Sequence, residues 1–309
     1  MKQKTGILCI VMTAFCFGTM EISLKIAGDA FTPFQLTFLR FMIGGLILLP
    51  FAVAEIRRRQ LTFSRSDCLF LLLLGVINIC ISMILFQIGV QMSSAGSAAI
   101  VMSSNPIFTM IFSHFIVHDY FNRQKAITLV FGIAGLITVA DPASFFRGDG
   151  AAGLLIVLLA AIIFAFYTTL GKIHISRLGG MVENSFSFIS GSLVLLVINL
   201  IRHEPVISGI SLQTLPPLLY TAIVVTGLGY MCYMKAIDLC GPSTASIAFF
   251  IKPVVALAGS ALLLDEPITP GKAAGMLLII AGCTLSAPLC RLMDRFLLHK
   301  SSGSGPDAV

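Results

Sequence analysis

The sequence predicts an all-α integral membrane protein with ten transmembrane helices arranged as two inverted five-helix repeats. Three observations support this fold class: an apolar composition, a series of long apolar runs and an internal repeat. Of the 309 residues, 57% are hydrophobic and 11% are charged, and the mean hydropathy is +0.98. About a quarter of the residues in a soluble globular domain are charged. The composition therefore excludes a sizeable soluble domain, and with it a catalytic or nucleotide-hydrolysing module.

The apolar runs are separated by charged or Gly/Pro-rich breaks, the pattern of a polytopic membrane protein. A helix needs about 20 mostly apolar residues to cross a bilayer, and the fifth run is short by this measure. The first run follows Lys2 and Lys4 but leads to no small-x-small cleavage site, so it is interpreted as a span and not as a signal peptide. The predicted spans are 6–27, 33–54, 68–89, 94–117, 124–140, 151–171, 183–201, 214–234, 243–264 and 271–289.

The basic residues predict how the chain is threaded through the membrane. Fourteen of the 20 Lys and Arg residues fall on one side of the spans, and four, Lys25, Arg147, Arg202 and Lys272, fall on the other. Cytoplasmic loops carry the excess of Lys and Arg, so both termini are expected in the cytoplasm of a cell that holds the protein in its inner membrane. The net charge of +6 then reflects topology, and no nucleic acid is expected as a partner.

Cofactor and enzyme signatures are missing from the sequence. The eight cysteines are scattered through the apolar runs without a CxxC pair, which favours small packing residues over metal ligands. No Walker sequence or phosphate-binding glycine loop occurs. A catalytic triad needs Ser, His and Asp at a common membrane depth, and no such set occurs in the predicted spans, so no triad is predicted. We therefore expect neither a cofactor nor enzymatic activity.

An internal repeat determines the predicted architecture. Sliding the chain along itself by 147 residues pairs Lys25 with Lys172 and Pro106 with Pro253, without gaps. Lys and Pro are rare or positionally constrained in spans, so these matches carry more weight than apolar ones. Each repeat holds five spans, an odd number, and the second copy must therefore cross the bilayer in the opposite sense. The predicted units are residues 1–146, residues 147–290 and a polar cytoplasmic tail at 291–309.

Inverted repeats are typical of secondary transporters, in which a site between the copies opens to each side in turn. An ancient duplication in a membrane protein with some other function is the alternative. The residues within the repeats favour transport, because the whole of 6–288 resembles the EamA-type members of the drug/metabolite transporter superfamily. The resemblance is carried by Phe17-Gly18 and Lys25, Pro33 and Arg40, Ser97-Ala98-Ala99 leading to Asn105-Pro106, Gly227-Leu228-Gly229-Tyr230, Ser243-Thr244-Ala245-Ser246 leading to Lys252-Pro253, Leu264-Asp265-Glu266, and Gly275 to Gly282.

This resemblance implies ten helices around a central cavity, lined largely by the third, fourth, eighth and ninth, and substrates such as amino acids. The chain also departs from the family pattern. His118-Asp119 stands where an acidic residue usually closes the fourth span, whereas Asp265-Glu266 is the ordinary counterpart. Glu21 and Lys252 are not general family features. The departures concern the substrate and leave the fold unaffected.

Lys252 is the first candidate for substrate binding. It lies about ten residues into the ninth span, about 15 Å deep at 1.5 Å per residue and so near the midplane. Pro253 follows it and removes a backbone hydrogen bond there. Ionisable groups within the bilayer are costly and are functional candidates by default. Lys252 is expected to bind a substrate carboxylate or phosphate, and a lysine paired with a fixed acidic or carbonyl group is the alternative.

Arg40 and Glu21 reach a similar depth from the second and first spans. They are expected either to pair across adjacent helices, as a gate or as a structural contact, or to meet substrate directly. Glu21 also stands four residues before Lys25, a favourable local pairing. If Glu21 titrates, a proton could be the coupling ion.

The remaining candidates are uncharged. Five polar side chains on spans expected to line the centre could orient a small polar ligand: Asn78, Gln87, Asn105, Tyr230 and Tyr233. Pro106 and Pro253 are predicted to bend their helices and shape a cavity, and Gly227 and Gly229 could act as a hinge or serve close packing. The serine-rich runs 93–99 and 243–246 are more typical of close helix packing than of ligand contact.

Taken together, the sequence predicts a secondary active transporter, an exporter of small polar metabolites such as amino acids, that works by alternating access in a lipid bilayer. Lys252 and Arg40 would hold a carboxylate, and Glu21 or cavity hydroxyls would meet an amine. A transporter of phosphorylated or nucleotide-linked sugars would use the same cations. A membrane-embedded enzyme or a scaffold without transport is the alternative of a different class.

Overall fold

The computed structural model describes residues 2–116, 151–240 and 248–286, with residue 245 and isolated positions between 126 and 138. Within this part of the chain every regular element is helical. Seven helices are long and apolar enough to cross a membrane, and α8 and α9 are shorter apolar helices. In chain order they are α1 (Thr5–Gly28), α2 (Pro33–Arg59), α3 (Arg65–Met92), α4 (Ala95–Ile116), α5 (Ala151–Ile175), α6 (Gly180–Ile201), α7 (Leu215–Ala236), α8 (Ala248–Leu263) and α9 (Pro270–Ser286).

The predicted helical membrane fold is confirmed. Helices α1 to α4 correspond to the first four predicted spans, and α5 to α9 correspond to the sixth to tenth. The predicted fifth span at 124–140 falls almost entirely outside the described residues, so the count of ten helices stays a prediction. The His118-Asp119 pair, the 243–246 motif apart from Ala245, and the tail at 291–309 also lie outside them.

Short sequence signals set the ends of the helices. Thr32 caps α2 by accepting a hydrogen bond from the Gln35 N–H, and Pro33 occupies the first helical position, where its lack of an N–H is harmless. A capping box opens α3: the Asp67 N–H donates to the Ser64 hydroxyl, and the Asp67 carboxylate accepts from the Ser64 N–H at 2.8 Å. Helix ends in a membrane need such partners because lipid offers no hydrogen bonds.

Two charged side chains close the turn between α3 and α4. The Lys25 ammonium donates to the carbonyl oxygens of Val90, Gln91 and Ser93 at the end of α3, at 3.3, 3.0 and 2.6 Å. The Glu266 carboxylate accepts from the N–H groups of Ala95 and Gly96 at the start of α4, at 2.7 and 3.1 Å. Each charge faces the helix terminus of opposite polarity, which stabilises both ends.

Helix α2 and helix α6 pack antiparallel, and this pair shows the relation between the repeats. The start of α2 meets the residues after α6, because the Gln35 amide donates to the Ser208 carbonyl at 2.6 Å. At the crossing the rings of Phe41 and Phe188 lie edge to face, with centroids 4.9 Å apart. Phe41 and Phe188 are equivalent positions in the repeat. When equivalent residues of two antiparallel helices touch, a twofold axis passes between them, perpendicular to the helices. This axis lies in the membrane plane, and the repeats are therefore inverted.

Glycines allow the close contacts around this axis. A Cβ on Gly191 of α6 would lie 2.5 Å from the Gly75 carbonyl oxygen of α3. In the other repeat, a Cβ on Gly44 of α2 would lie 2.6 Å from Thr226 and 3.4 Å from the Ala222 carbonyl oxygen of α7. Gly44 corresponds to Gly191 and Ala222 to Gly75, so the same contact is built twice. Small residues at such crossings bring backbones together where lipid provides no hydrophobic driving force.

Matching irregularities occur in α3 and α7. Val76–Met83 in α3 and Tyr220–Gly229 in α7 form π-helices, which are rare and occur often at functional sites. The two segments overlap when the repeats are superimposed in register. Helix α4 is interrupted at Ser103-Ser104 and resumes at Asn105. These irregular segments flank the buried polar groups described next.

Candidate substrate site

A buried ion pair joins the two repeats. The Lys252 ammonium of α8 lies 2.5 Å from a carboxylate oxygen of Glu21 on α1, and neither side chain is exposed. Glu21 is positioned just after a one-residue break in α1 at Thr19. Sequence reasoning left open whether Lys252 faces ligand or a fixed acidic group, and whether Glu21 pairs with Arg40 or Lys25. The structure places Glu21 with Lys252, while Lys25 binds the end of α3.

Arg40 of α2 is the second buried cation of this centre. Its guanidinium is completely buried, lies 4.6 Å from the centroid of the Phe41 ring, and donates through Nη2 to the Met83 sulfur at 3.3 Å. Nε and Nη1 have no hydrogen-bond partner. Arg40 interacts electrostatically with Glu21 and Lys252, and the Phe41 ring beneath it lies 6.4 Å from the Tyr230 ring. A guanidinium with two unused donors is suited to a carboxylate, whose oxygens match its planar geometry.

The charges of this centre do not balance. Two cations, Arg40 and Lys252, share one carboxylate, Glu21, in a region closed to solvent. An uncompensated charge in a low-dielectric interior is costly, and a charge retained in a membrane protein marks a pathway or a ligand site. With all three groups ionised the centre carries one excess positive charge, which an anionic group of a ligand would neutralise.

Aromatic rings form one wall of the centre. Tyr230 lies edge to face against Phe17 and Phe188, with centroids 5.1 and 4.9 Å away. Tyr233 packs edge to face on Phe249 at 5.5 Å. Both tyrosines are about 5% exposed. Such edge-to-face contacts stabilise each pair by about 0.5–1.5 kcal/mol beyond burial, and they fix the rings in place.

The three candidate amides differ in their surroundings. Asn78, in the π segment of α3, is fully buried and neither of its amide atoms has a partner. Gln87 donates to the Leu24 carbonyl at 3.3 Å and keeps a partner-free oxygen. Asn105 is occupied on both sides, because it donates to the Ala161 carbonyl at 3.0 Å and accepts from Thr109 at 3.3 Å. Asn78 and Gln87 retain free hydrogen-bonding capacity, whereas Asn105 joins α4 to α5.

The predicted bends and hinges occupy different settings. Pro106 is the second residue of the resumed half of α4, where its missing N–H breaks no bond, whereas Pro253 lies inside α8. Gly227 and Gly229 lie in the π segment of α7. A Cβ on Gly229 would come within 2.9 Å of Phe17, so this glycine serves a close helix contact.

Several buried polar residues were missed by the sequence analysis. Glu183 is 3% exposed and Asn184 1% exposed, both near the start of α6, and Asn184 accepts a hydrogen bond from the Tyr167 hydroxyl at 3.0 Å. The predicted seventh span begins at 183, which puts Glu183 at the boundary of that span. The helix begins at Gly180 instead. The partner-free Thr37 hydroxyl occupies the position equivalent to Asn184 in the first repeat, a coincidence that the register alone could have revealed.

A cavity of about 410 Å³ opens between α1, α2, α6 and α7. It lies at the ends of these helices that the basic-residue distribution assigns to the cytoplasm. Met231, next to Tyr230 in sequence, contributes to its wall, and Arg58 and Lys235 are basic groups at its margin. The lining residues are Cys9, Phe51, Ala54, Glu55, Arg58, Met181, Met231, Cys232 and Lys235.

Comparison with known proteins supports a transport function. The sequence profile of the EamA-like transporter family matches the chain twice, over residues 4–140 and 151–287. Residue 4 in the first match corresponds to 151 in the second, the same register that pairs Phe41 with Phe188.

The similarity to known proteins and to a known fold covers nearly the whole chain. An uncharacterized transporter of Clostridium kluyveri is 33% identical over 290 residues, which cover 92% of this chain and 93% of that protein. The uncharacterized transporter YoaV of Bacillus subtilis is 25% identical over 276 residues, covering 89% and 94%. A crystal structure with 16% sequence identity superimposes with a TM-score of 0.69 over 94% of this chain and 99% of that one, which shows a shared fold.

Proposed function

Because the chain belongs to the EamA-like transporter family, we propose that it exports amino acids or related carboxylate-bearing metabolites by alternating access. The observation that carries the substrate class is the excess positive charge at the centre, together with the two unused donors of Arg40. The chain is a multi-pass membrane transporter, and the proposal includes no catalytic step. The same proposal places the protein in the cell membrane with both termini in the cytoplasm. It also divides the chain into repeat units at 1–146 and 147–290.

Arg40 is the proposed anchor of the substrate carboxylate. Its Nε and Nη1 groups are buried donors that lack an acceptor, and a carboxylate supplies two acceptors in matching geometry. Lys252 is neutralised by Glu21 and so contributes less net charge than its depth alone suggested. A substrate ammonium would find acceptors in the free oxygens of Asn78 and Gln87, and aromatic faces in Tyr230 and Tyr233.

The Glu21–Lys252 pair would act as a gate between the repeats. It joins α1 to α8, which belong to different copies, and its exchange for contacts with substrate would loosen one side of the centre. Matching π segments in α3 and α7 offer each repeat a helix whose hydrogen bonding can shift by one residue. The inverted relation of the repeats then allows the same movement to open either face.

A ligand screen on the purified transporter tests the substrate class. We expect L-amino acids to raise the melting temperature, because a ligand at about 100 times its Kd stabilises the folded state by about 2.7 kcal/mol. The panel also includes amines, sugar phosphates and nucleotide sugars. Stabilisation by phosphorylated compounds alone would reject the carboxylate assignment in favour of sugar-phosphate transport.

Arg40→Lys tests the anchor, because lysine keeps the charge but loses the planar pair of donors. We expect the affinity for the stabilising amino acid to fall about tenfold, equivalent to about 1.4 kcal/mol. Arg202→Lys is the matched control, since Arg202 lies at the same 4.6 Å from an aromatic ring but is half exposed and follows the last residue of α6. An unchanged affinity in Arg40→Lys would contradict the anchor.

A further inference from the structure

Glu183 is a buried carboxylate for which the proposed substrate site has no use. Its side chain is 3% exposed, and one carboxyl oxygen, Oε2, has no hydrogen-bond partner. No ion pair joins it to a basic side chain within the described residues, in contrast to Glu21, Glu55 and Asp67. A bare carboxylate at such a position is costly unless it is protonated or bound to a cation.

Helix α5 packs closely against the side chain of Glu183. The carboxyl group lies against the backbone of Gly171 on α5, where any larger residue would meet it. It belongs to the first turn of α6, and the N–H groups exposed there favour its charged form. Two opposing influences therefore act on the same group: burial favours the neutral acid, and the helix end favours the carboxylate.

Helix α6 connects Glu183 to the candidate substrate site. The Tyr167 hydroxyl donates to the side chain of Asn184, the residue after Glu183, at 3.0 Å. Asn184 keeps a partner-free amide nitrogen beside it. Phe188, on the same helix, lies edge to face against Tyr230 of the aromatic wall at 4.9 Å, so a movement of α6 reaches the candidate site.

Two other acidic side chains near the start of α6 are already paired, and His174 of α5, three residues after Gly171, is a further titratable group whose Nδ1 has no hydrogen-bond partner. Helix α2 brings Glu55 to Gly179, and Glu55 is paired with Arg59 at 2.8 Å. Helix α3 brings Asp67, which is paired with Arg177. Helix α7 places Met234 against Gly180, and α5 presents Tyr167. Glu183 is the acidic group of this region that is left to exchange a proton.

We propose that Glu183 binds the coupling proton of this transporter. One O–H bond forms at its carboxylate when the site is loaded and breaks when the proton is released on the other face, and no other bond changes. Protonation removes the buried negative charge, so α6 can move against α5 and α2 during reorientation. This inference rests on the proposed transport function and adds to it the identity of the driving ion. Glu21 is a less suitable proton site, because its carboxylate is held by Lys252.

Infrared difference spectroscopy of the purified full-length protein tests the proton site without any substrate. We expect the wild type to show the carbonyl stretch of a protonated carboxylic acid that disappears as pH is raised. Glu183→Gln should abolish this band, and Glu204→Gln, which removes a partly exposed carboxylate that is paired with Arg202, should retain it. Glu183→Asp should keep a titrating band at a shifted frequency, which provides a second reading if the glutamine variant folds poorly. A wild-type band that survives in Glu183→Gln, or the lack of any such band, would overturn the proposal.

Transport in proteoliposomes distinguishes coupling from binding. The probe is an amino acid that stabilises the protein in the ligand screen. We expect Glu183→Gln to lose about tenfold in accumulation driven by a pH gradient, while exchange of labelled for unlabelled amino acid, which needs no net proton movement, continues. Gradient-driven accumulation equal to the wild type would refute the coupling role. If no amino acid is bound or moved, the proposed function fails, and the infrared result still decides whether Glu183 carries a proton.

Discussion

The buried pair between Glu21 and Lys252 gives the sharpest prediction of stability. Three variants are compared with the wild type: Glu21→Gln, Lys252→Met and the double variant that combines them. In the wild type the centre formed by Glu21, Lys252 and Arg40 carries one net positive charge. Glu21→Gln leaves two cations without a counter-charge, Lys252→Met leaves one cation with one carboxylate, and the double variant restores one net positive charge.

The expected sizes follow from the geometry. At 2.5 Å and an effective dielectric constant of about 20, the gross attraction is about 7 kcal/mol, much of which is offset by desolvation. Breaking one partner of a buried pair destabilises by about 3–5 kcal/mol, which we expect for Glu21→Gln. Lys252→Met should be milder, about 1–3 kcal/mol, because Arg40 can take over the carboxylate. The double variant should resemble Lys252→Met, so the coupling free energy should match the loss in Glu21→Gln, about 3–5 kcal/mol.

Thermal unfolding in detergent provides the measurement. The chain has no tryptophan, so unfolding is followed with a thiol-reactive dye that reports exposure of buried cysteines such as Cys16. The order of stability expected is wild type, then Lys252→Met and the double variant, then Glu21→Gln. Additive losses in the double variant would show that the two side chains do not act as a pair. Equal losses in the two single variants would show that Arg40 cannot compensate.

Two further predictions concern the scaffold. Lys25→Gln removes charged hydrogen bonds to three carbonyl groups, and we expect a loss of about 1.5–3 kcal/mol in thermal unfolding; a melting temperature equal to that of the wild type would disprove the closure of the α3–α4 turn. Gly191→Ala forces a methyl group to within 2.5 Å of the Gly75 carbonyl oxygen, which cannot move independently, and should cost about 1–3 kcal/mol. Gly271→Ala, whose added methyl group would find ordinary contact at 3.4 Å, is the control, and equal stability of the two variants would contradict the close helix approach.

The sequence predicted the fold because its main determinants are local or periodic. Apolar runs identify spans independently of their neighbours, and the register that pairs Pro106 with Pro253 identifies the repeat without any tertiary information. Phe41 and Phe188 were matched as equivalent residues by that register, and they prove to touch across the axis. Contact between them depends on the antiparallel packing of α2 on α6, which no local pattern specifies.

The sequence identified the charged residues of the candidate site but not which of them form the ion pair. Depth along a span correctly marked Glu21, Arg40 and Lys252 as buried charges. Which of the two cations meets the carboxylate depends on how α1, α2 and α8 are rotated about their axes. Glu183 was not identified because the predicted span begins at 183, which would place this carboxylate at the edge of the membrane. The helix begins at Gly180 instead, and Glu183 lies buried in its first turn.

The repeats share a backbone plan but not a charge plan, and this difference is what a transporter with one substrate orientation requires. Lys252 corresponds to Asn105, Arg40 to Ser187 and Glu21 to Thr168 in the register of the repeat. The symmetric features, the paired π segments and the glycine crossings, are those that must work equally when either face opens. The charged groups occur once each, as the proposed function requires, since a substrate with distinct ends would need one carboxylate anchor and one gate. Glu183 follows the same rule, since Leu36 occupies its equivalent position. A single titratable group on one side of the axis feels the two open states differently, which is the condition for a proton gradient to drive the exchange between them.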